Sequence, residues 1–302
     1  MNTGLKANFM LLIVTIFWGS SYLFMKMGLV AVQEFNLIAL RFGMAFILSG
    51  TVFHRRLIHV DFKTIKYAFW LGTILFSVFA SITFGVKFTS ASNAGFLVSL
   101  TVVFVPLLLA AFFRKMPENR VILGVLLALT GIGFLTLKNQ FIINSGDFLC
   151  ILGALIYAIY IIVTGKLTKD VDSITLGVLQ LGFAGAWGLL FSAFLEQPQL
   201  PSTTEAWVSV LELSIFCSAI GFVVQTAAQK YTTPTHTGLL FSLEPVFAVL
   251  FAFAFADERL TIKGYVGAGL VLLSVLTTQI DLKKVLKKQG FRKSNVESEL
   301  TH

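Results

Sequence analysis

The chain has 302 residues, 56% of them hydrophobic and 13% charged, with a mean hydropathy of +0.85. A soluble domain carries about 25% charged residues, so a water-soluble globule is excluded. At roughly 20 apolar residues per spanning helix, about ten spans use most of the chain and leave no separate soluble catalytic domain.

Ten apolar runs follow in order, over residues 9–28, 36–53, 67–86, 92–113, 121–137, 147–167, 174–195, 206–229, 235–256 and 260–280. The first, behind Lys6, is too long for the core of a secretory signal and has no small-residue cleavage pattern after it. Turn and charge signals fill the gaps: His54-Arg55-Arg56, Arg114-Lys115-Met116-Pro117, Asn144-Ser145-Gly146-Asp147, Gln197-Pro198 and Pro201-Ser202. The runs exceed the roughly eight residues of a buried strand and lack the polar alternation of a lipid-spanning barrel. Cys150 and Cys217 lie inside runs as packing thiols, which excludes a disulfide framework.

The net charge of +8 is distributed as loop cations at an anionic membrane surface, so no nucleic-acid partner is expected. With the N-terminus inside, the inner segments carry Lys6; Arg55, Arg56, Lys63 and Lys66; Arg114, Lys115 and Arg120; Lys166 and Lys169; Lys230; and Lys283, Lys284, Lys287, Lys288, Arg292 and Lys293. The outer loops hold only Lys26, Lys87, Lys138, Arg259 and Lys263. The positive-inside rule then predicts a multi-pass protein of the inner or plasma membrane with both termini cytoplasmic. The tail reads either as a surface helix on anionic lipid or as a solvated segment.

A repeat runs through the sequence. Lys87-Phe88-Thr89 aligns with Lys230-Tyr231-Thr232, and without a gap Gly95 meets Gly238, Ser99-Leu100 meets Ser242-Leu243, Val103-Phe104 meets Val246-Phe247, Leu107 meets Leu250 and Gly124 meets Gly267. The expected fold is therefore all-α, with ten transmembrane helices in two five-helix units at 1–137 and 138–280, followed by a basic tail at 281–302. An odd number of spans per unit turns the second copy upside down, and inverted repeats are an architecture of secondary transporters.

The residues resemble the EamA-type branch of the drug/metabolite transporter superfamily. The likeness lies in Trp18-Gly19-Ser20-Ser21, Leu40-Arg41-Phe42, Gly95-Phe96-Leu97, Phe104-Val105-Pro106, Gly146-Asp147, Gln229-Lys230-Tyr231-Thr232, Ser242-Leu243-Glu244-Pro245-Val246-Phe247-Ala248 and Glu258-Arg259-Leu260. The resemblance implies ten-helix export or exchange of small metabolites through a central cavity lined by the third, fourth, eighth and ninth spans. The first half departs from the second: Thr101-Val102 stands opposite Glu244-Pro245, and Arg114-Lys115 opposite Asp257-Glu258.

Glu244 falls near mid-membrane, where a charged carboxylate is costly. It is either a proton or substrate-ammonium site, or a neutral acid supporting a break at Pro245. Arg41 offers a planar fork to a substrate carboxylate, or else snorkels to headgroups or pairs with a carbonyl. Glu212 lies near the outer surface. Ser214, Ser218, Gly221 and Gln225 share one face of the eighth span, and Thr73, Ser77 and Ser81 one face of the third; such faces line a wet cavity or pack against a helix. Trp18, Tyr157 and Tyr160, at mid-depth, and Thr101, opposite Glu244, complete the expected cavity. Gly95 with Ser99, and Gly238 with Ser242, are helix-packing pairs. The histidines His54, His59, His236 and His302 have no metal-ligand spacing and no catalytic set appears, so neither metal, cofactor nor enzyme activity is expected. The reading is a secondary transporter exporting small polar metabolites, such as amino acids or related compounds, by alternating access. Its partners are the small-molecule substrate and the lipid bilayer, and no motif encodes an oligomeric state. The alternatives are a non-transporting membrane sensor or assembly protein, or a sugar/nucleotide-type exchanger.

Overall fold

The computed structural model describes residues 3–89, 91–114, 116–136, 144–256 and 262–279. All regular structure among them is helical: α1 (Thr3–Gly28), α2 (Glu34–Val52), α3 (His54–Leu57), α4 (Phe62–Phe88), α5 (Ala91–Ser99), α6 (Thr101–Phe113), α7 (Asn119–Thr136), α8 (Ser145–Leu167), α9 (Ser173–Leu195), α10 (Thr204–Glu212), α11 (Gly221–Gln229), α12 (Pro234–Phe241), α13 (Glu244–Ala256) and α14 (Ile262–Gln279). Between α10 and α11, Leu213–Ile220 is wound as a π-helix. Among the described residues, seven helical stretches are long and apolar enough to cross a membrane, Asn93–Phe112 and Thr204–Gln229 counted as one each, and the apolar stretches Asn119–Phe134 and Ile262–Thr277 are shorter. The basic tail at 281–302 lies outside the described residues, as do Lys115, Lys138 and the run Asp257 to Leu260.

Apolar composition makes these runs helical, since a backbone in lipid must satisfy its own hydrogen bonds. Polar residues set where they begin. Asn144 and Asp147 form a reciprocal capping box at the start of α8, with Asp147 N–H donating to Asn144 Oδ1 at 2.9 Å and Asn144 N–H to Asp147 Oδ2 at 3.0 Å. Asp147 also accepts from Thr89 Oγ1 and Asn93 Nδ2, both at 2.6 Å, which fixes α8 to the α4–α5 junction. Asp172 caps α9 and accepts from Arg56 Nη1 at 3.1 Å. The start of α2 has no side-chain cap of its own. Glu196, from beyond α9, accepts there from the backbone N–H groups of Phe35 (2.9 Å) and Asn36 (2.8 Å), and Lys87 pairs with Glu34.

Three of the expected continuous spans are interrupted. The run 92–113 breaks at Leu100, 235–256 breaks at Ser242–Leu243, upstream of Pro245, and 206–229 contains the π-wound turn pair. The first helix begins at Thr3, so Lys6 lies within it and not before it. In the register that sets Lys87 on Lys230, the α6 ends Thr101 and Phe113 fall on the α13 ends Glu244 and Ala256, and the α7 ends Asn119 and Thr136 fall on the α14 ends Ile262 and Gln279.

Packing follows the same plan. α7 lies along α14, α2 along α9, and α4 against α8 and α9, while α1 touches the π-wound segment, α11 and α13. Close approach depends on glycine: a Cβ on Gly131 would stand 2.6 Å from the Gly267 carbonyl oxygen, one on Gly185 would stand 2.7 Å from Gly43 N, and one on Gly19 would stand 2.6 Å from Phe247 Cβ. The outward faces carry exposed Ile47, Leu107, Leu123, Phe194 and Leu276, the surface a multi-pass protein presents to lipid.

Candidate functional site

A cavity lies where helices from both ends of the chain meet. On α1, Trp18, Ser21, Tyr22 and Met25 lie on one face, and form one wall. Arg41 enters from α2, Val78, Phe79 and Ile82 from α4, Val98 from α5, Tyr157 from α8, Phe222 from α11, and Glu244 from the first turn of α13. The cavity volume open to water is about 30 Å³, room for a water or two and not for a metabolite. The cavity is narrow.

The aromatic wall is tightly built. The Trp18 ring centre stands 5.0 Å from that of Phe222 and 4.9 Å from that of Phe241, and meets Tyr157 edge-on at 6.0 Å. Tyr160 stacks behind Tyr157 at 5.7 Å. The Trp18 indole donates to the Cys217 carbonyl at 2.8 Å, in the π-wound segment. π-Turns frequently occur at functional sites. Here a Cβ on Gly221 would stand 2.7 Å from the indole nitrogen, so glycine is what admits the ring.

Arg41 is 2% exposed. Its Nε donates to Ser218 Oγ at 2.6 Å, and its guanidinium carbon stands 4.3 Å from the Phe79 ring centre and 5.3 Å from that of Phe42. Both terminal nitrogens lack a hydrogen-bond partner. The side chain therefore neither snorkels to a headgroup nor pairs with a carbonyl. Glu244 is 8% exposed and has Tyr22 beside it in the wall. Glu212 accepts from Ser20 Oγ at 2.6 Å and from Cys217 Sγ at 3.3 Å.

Of the residues singled out from sequence, Trp18, Arg41, Tyr157 and Glu244 come together in the wall, with Ser218 on Arg41 and Tyr160 behind Tyr157. Gln225 lies next to the wall residue Tyr157 and donates to Gln229 Oε1 at 3.0 Å. It belongs to a polar layer in which Gln229 donates to the Ile161 carbonyl (3.0 Å), Tyr160 Oη to Gln180 Oε1 (2.9 Å) and Gln180 Nε2 to Thr226 Oγ1 (2.9 Å). Thr101 Oγ1 donates to the carbonyls of Val98 (2.7 Å) and Ala154 (3.2 Å), outside the wall. Ser77 and Ser81 donate to carbonyls one turn back, both at 3.0 Å, and Ser81 lies against Gly153 of α8; the face of α4 that meets the cavity is Val78, Phe79 and Ile82. Gly95 and Gly238 sit at ordinary contact, a Cβ on them standing 3.4 Å from Tyr22 and 3.5 Å from Val105; Ser99 donates to the Gly95 carbonyl within α5 and Ser242, just past α12, to the Leu239 carbonyl, both at 2.7 Å.

Sequence reasoning passed over Tyr22, Phe79, Phe222, Gln180 and Thr226. Tyr22 was signalled by its position one turn after Trp18, and Gln180 by being a lone amide in an apolar run. Phe79 and Phe222 carried no signal among so many phenylalanines.

The EamA-like transporter family model matches residues 5–137 and 144–279. The chain belongs to the EamA-like transporter family. It is a multi-pass membrane transporter and not an enzyme. Two Archaeoglobus fulgidus proteins, each named as an uncharacterized transporter, are similar to it: one is 29% identical over 276 residues, 91% of this chain and 86% of that protein, and the other 26% identical over 293 residues, 90% and 97%. A solved crystal structure superposes on this transporter with a TM-score of 0.75 at 17% identity, covering 90% of this chain and 96% of that one, a likeness of fold.

Proposed function

We propose that this transporter is a secondary exporter of small polar metabolites, such as amino acids or related compounds, working by alternating access around the central cavity. It would lie in the inner or plasma membrane with both termini cytoplasmic. Its ten spans would be α1, α2, α4, α5–α6, α7, α8, α9, α10–α11, α12–α13 and α14, forming two inverted five-helix units at 1–137 and 138–280. The observation that carries this reading is the cavity itself: a narrow chamber with one buried acid and one buried base in its wall, drawn from both units. Matching helix ends support the duplication, and inverted units that share a midplane site suit alternating access.

The test is efflux from cells overexpressing the chain, loaded in turn with a panel of amino acids, sugars and nucleotides. Accelerated export of a subset of polar metabolites is expected. Equal retention of the whole panel, with the protein folded in the membrane, would instead favour a sensor or assembly protein. Reporter fusions at Lys63 and at the C-terminus should both report cytoplasm. A C-terminus on the far side would require an odd number of spans and overturn the inverted repeat.

A further inference from the structure

Arg41 is the one cation in the cavity wall and Glu244 the one acid among the lining residues. Arginine remains protonated in proteins, so this charge cannot be relieved by losing a proton, and a buried cation without a partner is strongly destabilising. Glu212 and Glu244 lie within electrostatic reach of it, yet neither hydrogen-bonds its terminal nitrogens; Glu212 accepts instead from Ser20 and Cys217. Three features fix the guanidinium: Ser218 holds Nε, Phe79 covers it and Phe42 lies close by. What remains is the edge bearing Nη1 and Nη2, buried, without a hydrogen-bond partner, and on a side chain that lines the cavity.

That edge presents parallel N–H donors in a planar fork, which matches the two oxygens of a carboxylate. We propose that Nη1 and Nη2 of Arg41 are the seat of a single carboxylate, with Ser218 of the π-wound segment as the residue that positions the fork. Charge selects the class of ligand. One carboxylate neutralises one guanidinium, whereas a phosphate brings excess negative charge into a wall whose other ionisable group is an acid. The wall around the seat, with Trp18, Phe79, Tyr157 and Phe222, is aromatic and suits an apolar remainder. Once widened enough to admit a ligand, the cavity therefore takes small monocarboxylates in preference to phosphorylated sugars or nucleotides. The seat stands on the geometry alone; its assignment to the cargo rests on the transport reading above.

The test separates the two. Full-length protein in nanodiscs of uncharged phosphatidylcholine is titrated with sodium acetate against sodium chloride at matched ionic strength, with unfolding temperature as the readout. Acetate should raise that temperature saturably, by about 5 °C at a hundredfold excess over its midpoint, and inorganic phosphate should not. Arg41→Lys, which keeps the charge and loses the fork, should weaken the acetate midpoint at least tenfold, and Ser218→Ala severalfold. No saturable response in the wild-type protein overturns the seat without reliance on any variant. An unchanged midpoint in folded Arg41→Lys, or an equal response to phosphate, overturns it as well. In proteoliposomes, competition by acetate against efflux of a carboxylate cargo identifies the cargo as the source of the group, while acceleration identifies a free anion carried alongside. Saturable binding that leaves a measurable efflux unchanged keeps the seat and refutes its assignment to the cargo, whereas saturable binding without efflux of any compound keeps the seat and refutes the transport reading.

Discussion

The α5–α6 and α12–α13 pairs interrupt their helices at equivalent positions, yet the residues that open α6 and α13 do different things. Thr101 spends its hydroxyl on the carbonyls of Val98 and Ala154, whereas Glu244 brings a carboxylate to the cavity wall. The same contrast separates α4, a regular helix, from its counterpart α10–α11, wound as a π-helix over Leu213–Ile220. Repetition thus accounts for the scaffold, and departure from repetition for the polar groups at its centre. The prolines make this plain. Pro106 lies inside α6 and Pro245 at the second position of α13, and the two are not equivalent in the repeat, although the breaks are. Proline therefore marks the α12–α13 break and not the α5–α6 one.

The largest effect is expected where the halves differ most. Replacing Glu244 by Thr, the residue of the first half, or by the near-isosteric Gln should leave folded yield intact and cut efflux at least tenfold. Wild-type efflux from both variants at mildly acidic and mildly alkaline pH alike would strip the difference at this position of functional meaning. A second comparison sets Gly19 against Gly95. Gly19→Ala forces a methyl group against Phe247 Cβ and Ala248 N, at 2.6 and 2.9 Å, and should cost about 1–3 kcal/mol by overpacking. Gly95→Ala meets Tyr22 at 3.4 Å and should shift the unfolding temperature little. Equal shifts would show that the α1–α13 contact relaxes.

The smallest effects concern the ways α2 and α9 begin. Asp172→Ala removes a local cap and should cost about 1 kcal/mol, its exposed pairing with Arg56 adding little. Partial burial pushes the Asp172 carboxyl up, but the hydrogen bonds from Thr175 and the Arg56 charge outweigh it and hold the group below the ordinary carboxylate value. A depressed value means that the contribution is present above the unfolded value of about 3.9 and fades as pH falls through the folded one. Thermal melts of the wild type and of Asp172→Ala should therefore converge in acid. Glu196→Ala, which uncaps α2 from across the chain, should destabilise by a similar amount, and a null effect would mean that water replaces the cap.

An all-helical, multi-pass membrane protein was legible because apolar runs of this length have few other readings. Glu244, Arg41 and Trp18 stood out as polar or amphipathic groups at apolar depth. The interruption at Leu100 was hidden, since neither glycine nor proline marks it. The π-winding was hidden too: it is tied to the indole of a distant helix reaching the Cys217 carbonyl, a contact that no local pattern encodes. Ser77 and Ser81 illustrate the opposite error. Helical spacing placed them on one face, but it cannot say which neighbour that face meets: at Ser81 it is Gly153 of α8.

Gly19 and Trp18 are consecutive on α1, and they grip different partners. The glycine lets α13 press its backbone against α1 at Phe247–Ala248, while the tryptophan is tied to the carbonyl of Cys217. Neither partner can slide along α1 by as little as one residue without a steric collision on one side or a broken hydrogen bond on the other. α1 thus works as a mechanical strut between α13 and the π-wound segment: displacement of either helix either drags the other with it or snaps the link at residues 18 and 19.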